Sequence, residues 1–111
     1  MPVEQPDFLN VKTAAVTASA SGATQIVAAV TGKRIRVLSY TYRVNGAVNV
    51  KWQSATTDLT GLSYNGAAGE GEAPSAPPGM YLFQTAVAAA LNINLSAAIA
   101  VGGHIQYIEV D

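Results

Sequence analysis

Chemistry in this chain has most to work with in GKRIRVLSYTYRVNGAVNVKW, residues 32–52, where Lys33, Arg34, Arg36 and Arg43 gather beside Tyr40 and Tyr42, shortly before Trp52, the only tryptophan. Cations interleaved with rings suit a single-stranded nucleic acid, whose bases stack on the rings while its phosphates pair with the cations. The formal net charge of -1 opposes that use, because sequence-independent binding rests on releasing counterions from several phosphates at once. His104 is the only histidine and there is no cysteine. It has no partners for zinc and no serine and acid at triad spacing, so an ordinary strand residue is expected there. Glu70 and Glu72 flank Gly71 but lack the ladder of oxygen ligands that calcium takes. Asp58 after SATT is a turn residue, and GEGEAPSAPPG lacks the Lys-Ser or Lys-Thr of a phosphate loop. No catalytic residue, cofactor or metal site is expected, and the chain does not read as an enzyme.

The elements that must position these residues are strands. Period-two alternation dominates, punctuated by glycine, asparagine and proline, and predicts an all-β domain. In TAVAAALNINLSAAIAV the composition leans to helix, yet Leu91, Ile93 and Leu95 alternate with Asn92 and Asn94, and the period outweighs the propensity. Strands are expected near 11–18, 24–30, 34–44, 48–54, 58–64, 80–85, 90–96 and 104–110. Eight short antiparallel strands fit a two-sheet β-sandwich of jelly-roll or related Greek-key type, with a small closed barrel as the competitor. Residues 1–10 read as an extended arm, since Pro2 and Pro6 prevent regular pairing, and residues 11–111 as one sandwich domain. Residues 65–79, NGAAGEGEAPSAPPG, form a long Gly, Ala and Pro-rich loop suited to contacting another subunit.

Register divides the opening stretch. A three-residue connection, residues 45–47, sets Val44 opposite Val48, Tyr42 opposite Val50 and Tyr40 opposite Trp52 in a hairpin with one apolar face. A two-residue Asn-Gly turn would mix the faces. Counting back, Arg34 and Arg36 would share the tyrosine face, so a bulge or bend is expected near Val37 and Leu38. The arginines then point to solvent, while Tyr40, Tyr42 and Trp52 become core or subunit-interface aromatics. The last strand carries apolar residues on both faces, Ile105 and Tyr107 against Ile108 and Val110, as if buried between the core and a neighbouring copy.

Composition points the same way. Half of the residues are hydrophobic but only 12% are charged, about half the 25% of an average domain. A surface so rich in small uncharged residues suits packing against copies of itself or a larger assembly. The N-terminal stretch carries no signal peptide or anchor pattern, and no run approaches the ~18 apolar residues of a membrane span. Synthesis in the cytosol is expected, with neither membrane nor nucleic acid as partner.

Taken together, GKRIRVLSYTYRV, VNVKWQS, DLTGLSYNG, ALNINLS and VGGHIQYIEV resemble a group of small tailed-phage virion proteins, over roughly residues 11–110. The resemblance implies a jelly roll that assembles as a homotrimer and attaches to the virion, often as a head decoration or cement protein on the major capsid protein. Related-looking sandwiches occur in tail fibres and baseplates, where the alternative is a domain recognising a bacterial surface glycan. The capsid-contact candidates are Val3, Glu4, Phe8 and Leu9; the subunit-interface candidates are Tyr40, Tyr42, Trp52, Tyr107 and Ile108.

Overall fold

The computed structural model describes residues 10–111, so the arm candidates Val3, Glu4, Phe8 and Leu9 lie outside the described residues. The strands are β1 (Lys12–Ala18), β2 (Gly22–Val27), β3 (Arg34–Val44), β4 (Val48–Ser54), β5 (Thr57–Asp58), β6 (Ser63–Asn65), β7 (Gly71–Glu72), β8 (Phe83–Gln84), β9 (Leu91–Leu95) and β10 (Val101–Val110). One sheet runs β1-β10-β3-β7, with β8 also on β3; the other runs β2-β9-β4-β5, with β6 also on β4. All pairings are antiparallel. Because β5 and β6 share one edge, and β7 and β8 another, the ten segments fill the eight positions expected from the sequence. First pairs with last, second with second-last, and so inward, which is a long hairpin rolled into two facing sheets: a jelly-roll β-sandwich.

The β3–β4 hairpin does not form. Both of β3's edges are occupied, by β10 on one side and β7 and β8 on the other, and β4 pairs with β9, β5 and β6. Residues 45–47 therefore arch from one sheet to the other. Asn45 N donates to Ala100 O at 2.9 Å. Tyr40 and Trp52 meet across the sandwich, ring centroids 5.2 Å apart, instead of side by side on paired strands. The division into one apolar and one polar face survives because alternation decides which side chains share an interior. It does not decide whether the strands that carry them lie in one sheet or two.

The phase change is where the alternation required it. Gln106 pairs with Ser39 but Tyr107 pairs with Val37, leaving Leu38 as an extra residue on β3. This bulge lets Ile35, Val37, Tyr40, Tyr42 and Val44 all face inward. They pack with Val16 and Ala18 of β1, Ile105 of β10, and Val48, Val50, Trp52, Leu91, Ile93 and Leu95 of the facing sheet.

Residues 65–79 are less of a loop than their composition suggests. Gly69 N donates to Val44 O, Glu70 O accepts from Val44 N, Pro74 O accepts from Tyr40 N, and Ala76 N donates to Leu38 O. Leu82 N and Thr85 N continue the series to Val37 O and Ile35 O. An irregular strand thus follows nearly the whole of β3 and closes the edge that would otherwise offer unpaired backbone groups to another chain. Its prolines are tolerated because only some of its N–H groups are needed in the ladder.

Two glycines let neighbouring backbones close on β3. A Cβ at Gly103 would run into the Thr41 carbonyl oxygen, and one at Gly71 into that of Tyr42. Since the obstacle is backbone, neither can swing aside. Gly103→Ala should lower stability in urea unfolding by about 1–3 kcal/mol, the usual cost of overpacking, whereas Gly102→Ala, whose nearest obstacle is Val16 O at 4.0 Å, should change it far less. Equal effects of the two substitutions would contradict this packing.

Candidate functional site

The side chains that looked most chemical are drawn into two places. Tyr40, Tyr42 and Trp52 lie between the sheets with Phe83 of β8: Tyr40 stacks on Tyr42 at 6.0 Å, and Trp52 and Phe83 lie 6.1 Å apart. Such ring pairs add about 0.5–1.5 kcal/mol each beyond their buried area. Tyr42 is 0% and Trp52 1% exposed. The chain's own residues cover them and leave no ring surface for a neighbouring copy.

The polar ends of these rings meet the carboxylate of Glu72, which its spacing with Glu70 raised only as a calcium ligand. Register sets Glu72 opposite Tyr42, and Glu72 Oε1 accepts from Tyr40 Oη at 3.0 Å and Tyr42 Oη at 3.3 Å. The facing sheet completes the network: Asn65 Nδ2 donates to Tyr42 Oη at 3.4 Å and to Val48 O at 3.2 Å. Burial pushes the Tyr40 phenol well above its ordinary value, and the Glu72 carboxylate pushes it further. Burial also raises Tyr42, against the opposing effect of hydrogen bonds from Ser63 and Asn65. Among the described residues Trp52 Nε1 is the one buried side-chain polar atom without a hydrogen-bond partner. This network holds β6 and β7 to the sandwich; its carboxylate is engaged by two hydroxyls, and Glu72 also lines an open cleft of about 480 Å³ with Arg43, Tyr64 and Glu70.

The second place is the β3 edge, where the arginines are spent on the chain itself. Arg36 Nε donates to Gln84 Oε1 at 2.9 Å, with its guanidinium 4.6 Å above the Tyr81 ring. Arg34 Nη1 reaches Thr85 O and Arg43 Nη1 reaches Gly69 O. Each ties the irregular edge strand to β3, and the rings that bases would need for stacking are inside. The cations and aromatics of the opening stretch therefore form no common outward platform.

Two surfaces remain. On the outside of the first sheet, Thr13, Ala15 and Thr17 of β1 stand beside His104, Gly102 and Gln106 of β10 and then Ser39 and Thr41 of β3. These side chains are small or polar, with His104 exposed between Ala15 and Thr41 and the exposed Arg43 following opposite Gly102. Towards one end this face deepens into a groove of about 470 Å³, walled by residues 75–81. Ile108 lines it, on the outer face opposite Arg36, while Tyr107 faces inward with Val37. The apolar outer side of the last strand, expected to meet a neighbouring copy, is thus partly covered by the chain itself.

The other sheet turns outward a hydrogen-bonded amide row: Asn94 Nδ2 to Gln53 Oε1, then Gln53 Nε2 to Asp58 Oδ1 at 2.8 Å, with Lys51 on the same carboxylate. Asp58 is held below the usual carboxylate range, chiefly by Gln53 and then by Lys51. Beyond it Tyr64 is 77% exposed. Among the described residues no group of three or more His, Cys, Asp or Glu is placed to hold a metal ion, and no helix is long and apolar enough to cross a membrane. Comparison with protein-family models, curated proteins and solved structures finds no match.

The buried phenols carry a pH signature. With folded values above the ordinary phenol value of about 10, the unfolded chain releases these protons first. Their contribution to stability is complete below pH ~10 and is lost as pH rises through the folded values. Alkaline titration should show a late tyrosinate component that appears together with loss of near-ultraviolet circular dichroism. Complete ionisation with that signal intact would contradict the buried network.

Proposed function

We propose that this chain is a non-enzymatic structural protein of a phage particle: a homotrimeric head decoration, or cement, protein that binds the major capsid protein and stabilises the shell. The observation that carries this reading is the outer face of the first sheet, a broad surface of Thr, Ala, Gly, Gln and Ser across three adjacent strands, where Lys, Glu and Asp are missing and the charged side chains are arginines, Arg36 towards one end and Arg43 towards the other. Charge depletion of this kind marks the centre of protein interfaces, and short side chains let two flat surfaces approach closely. The resemblance of the strand motifs to small tailed-phage virion proteins supplies the setting, a virion component made in the host cytoplasm. The mechanism is mechanical. Contacts that exist only in the assembled shell stabilise it by linkage, and three copies acting together bind with an avidity that none has alone.

A tail-fibre or baseplate domain recognising a bacterial surface glycan is the second reading. Tyr64 favours it, as an exposed ring at the cleft lined by Arg43, Glu70 and Glu72. Sedimentation equilibrium combined with cosedimentation on undecorated heads separates the two. The protein should sediment as a trimer and pellet with heads, and Ala15→Arg, which adds a long charge to the exposed face, should shift it to monomer and weaken pelleting by at least tenfold. A wild-type monomer at micromolar concentration that ignores heads but is retained on a glycan array, with retention lost in Tyr64→Ala, would replace the first reading with the second.

A further inference from the structure

The open cleft beside Glu72 lies where the edges of the two sheets come together, β6 of one and β7 of the other. Its volume of about 480 Å³ falls within the ~300–1,000 Å³ usual for small-molecule sites. Its polar groups are held in place by the chain itself. Glu72 Oε1 takes the hydroxyls of Tyr40 and Tyr42, Glu70 Oε1 accepts from Gly66 N at 2.7 Å, and Arg43 Nη1 donates to Gly69 O at 3.3 Å. These bonds use one oxygen of each carboxylate and one nitrogen of the guanidinium. Among the described residues, Oε2 of both glutamates and the remaining Arg43 nitrogens keep their hydrogen-bonding capacity, and all three side chains are exposed. Tyr64 stands on the same cleft, and its exposure of 77% is the highest among the exposed large apolar side chains described. The fold does not use that ring for packing.

We propose that this cleft binds a short neutral saccharide, one sugar ring lying against Tyr64 while its hydroxyls donate to Glu70 and Glu72 and accept from Arg43. The charges select the class. An anionic ligand would meet two carboxylates and a cationic one would meet Arg43, whereas a hydroxyl both donates and accepts and uses all three groups. Hydrogen bonds with a charged partner are about twice as strong as neutral ones, which matters for a ligand that water also solvates well. The exposed phenol ring offers a flat apolar surface to the C–H face of a sugar and keeps its own polar tip wet. Because Tyr40 and Tyr42 fix Glu72 from behind, and Gly66 fixes Glu70, little ordering of these carboxylates is left for the ligand to impose. The inference rests on the glycan reading, to which it gives a site and a ligand class, and it requires neither heads nor a particular oligomeric state.

The test is a chemical-shift titration of the isolated full-length protein with four neutral probes, methyl α-glucoside, methyl α-galactoside, methyl α-mannoside and N-acetylglucosamine, and with glucuronate and methylguanidinium as charged controls. At least one neutral probe should saturably shift the backbone amides of Gly69 and Gly71 and the side-chain amide of Asn65, while Ala15 and His104 on the outer face of the first sheet stay in place and neither control shifts any of them. Tyr64→Ala should weaken that binding at least tenfold and Glu70→Gln severalfold, with signals away from the cleft unchanged in both variants. Saturation by none of the four neutral probes would overturn the proposal. So would binding of either charged control at these residues, which would give the cleft to an ion, and so would neutral-probe binding that Tyr64→Ala leaves intact. The glycan reading fails or stands separately: retention on a glycan array that survives Tyr64→Ala would keep that reading and remove this site.

Discussion

Strand β3 runs eleven residues through the middle of one sheet, and its inward phase changes once, at Leu38. Before the change Ile35 and Val37 enter the core; after it Tyr40, Tyr42 and Val44 do. Without the extra residue a strict period of two would bury either Arg34 and Arg36 or the odd-numbered residues that follow them, at the cost of desolvating charge or exposing rings. Both surfaces of interest follow from this irregularity. It turns the tyrosines toward Glu72 and Asn65, and it leaves Leu38 beside Arg36 on the outside as part of the groove.

The same strand explains why a protein with so few charges uses its arginines as it does. Residues 69–88 run along β3 as a broken strand, with backbone bonds interrupted around residues 77–81. Arg34, Arg36 and Arg43 each reach across to that segment. Guanidinium groups with several donors and a ring to lie on suit the task. The closed edge blocks strand addition on that side of the first sheet. That is consistent with the proposed symmetric assembly through the outer side of the first sheet, and with attachment that adds contacts without any chemical step.

The alternation of apolar residues made the sandwich legible, including the number of strand positions, the bulge near Val37 and Leu38, and the strand within ALNINLS despite its alanine-rich surroundings. Pairing was less legible. Val44 with Val48 and Tyr40 with Trp52 satisfy the same pattern whether they are cross-strand neighbours or face each other across a core, and only the occupied edges of β3 decide between these. The loop at residues 65–79 was misleading because Gly, Ala and Pro report on local conformation, not on whether a neighbouring edge needs covering. Glu72 went unrecognised as a partner of the tyrosines because the contact spans thirty residues of sequence. Its position opposite Tyr42 depends on a two-residue strand that composition could not announce.

The dependence on Leu38 is the claim most open to direct test. Deleting that one residue leaves composition and charge otherwise intact and forces half of β3 to the wrong face. Urea unfolding of the deletion variant, followed by tryptophan fluorescence from the buried Trp52, should show no cooperative transition, with an emission maximum at zero urea already that of a solvated indole. A cooperative transition at the wild-type midpoint would contradict the account, for it would mean that the two halves of β3 reach the core without the extra residue.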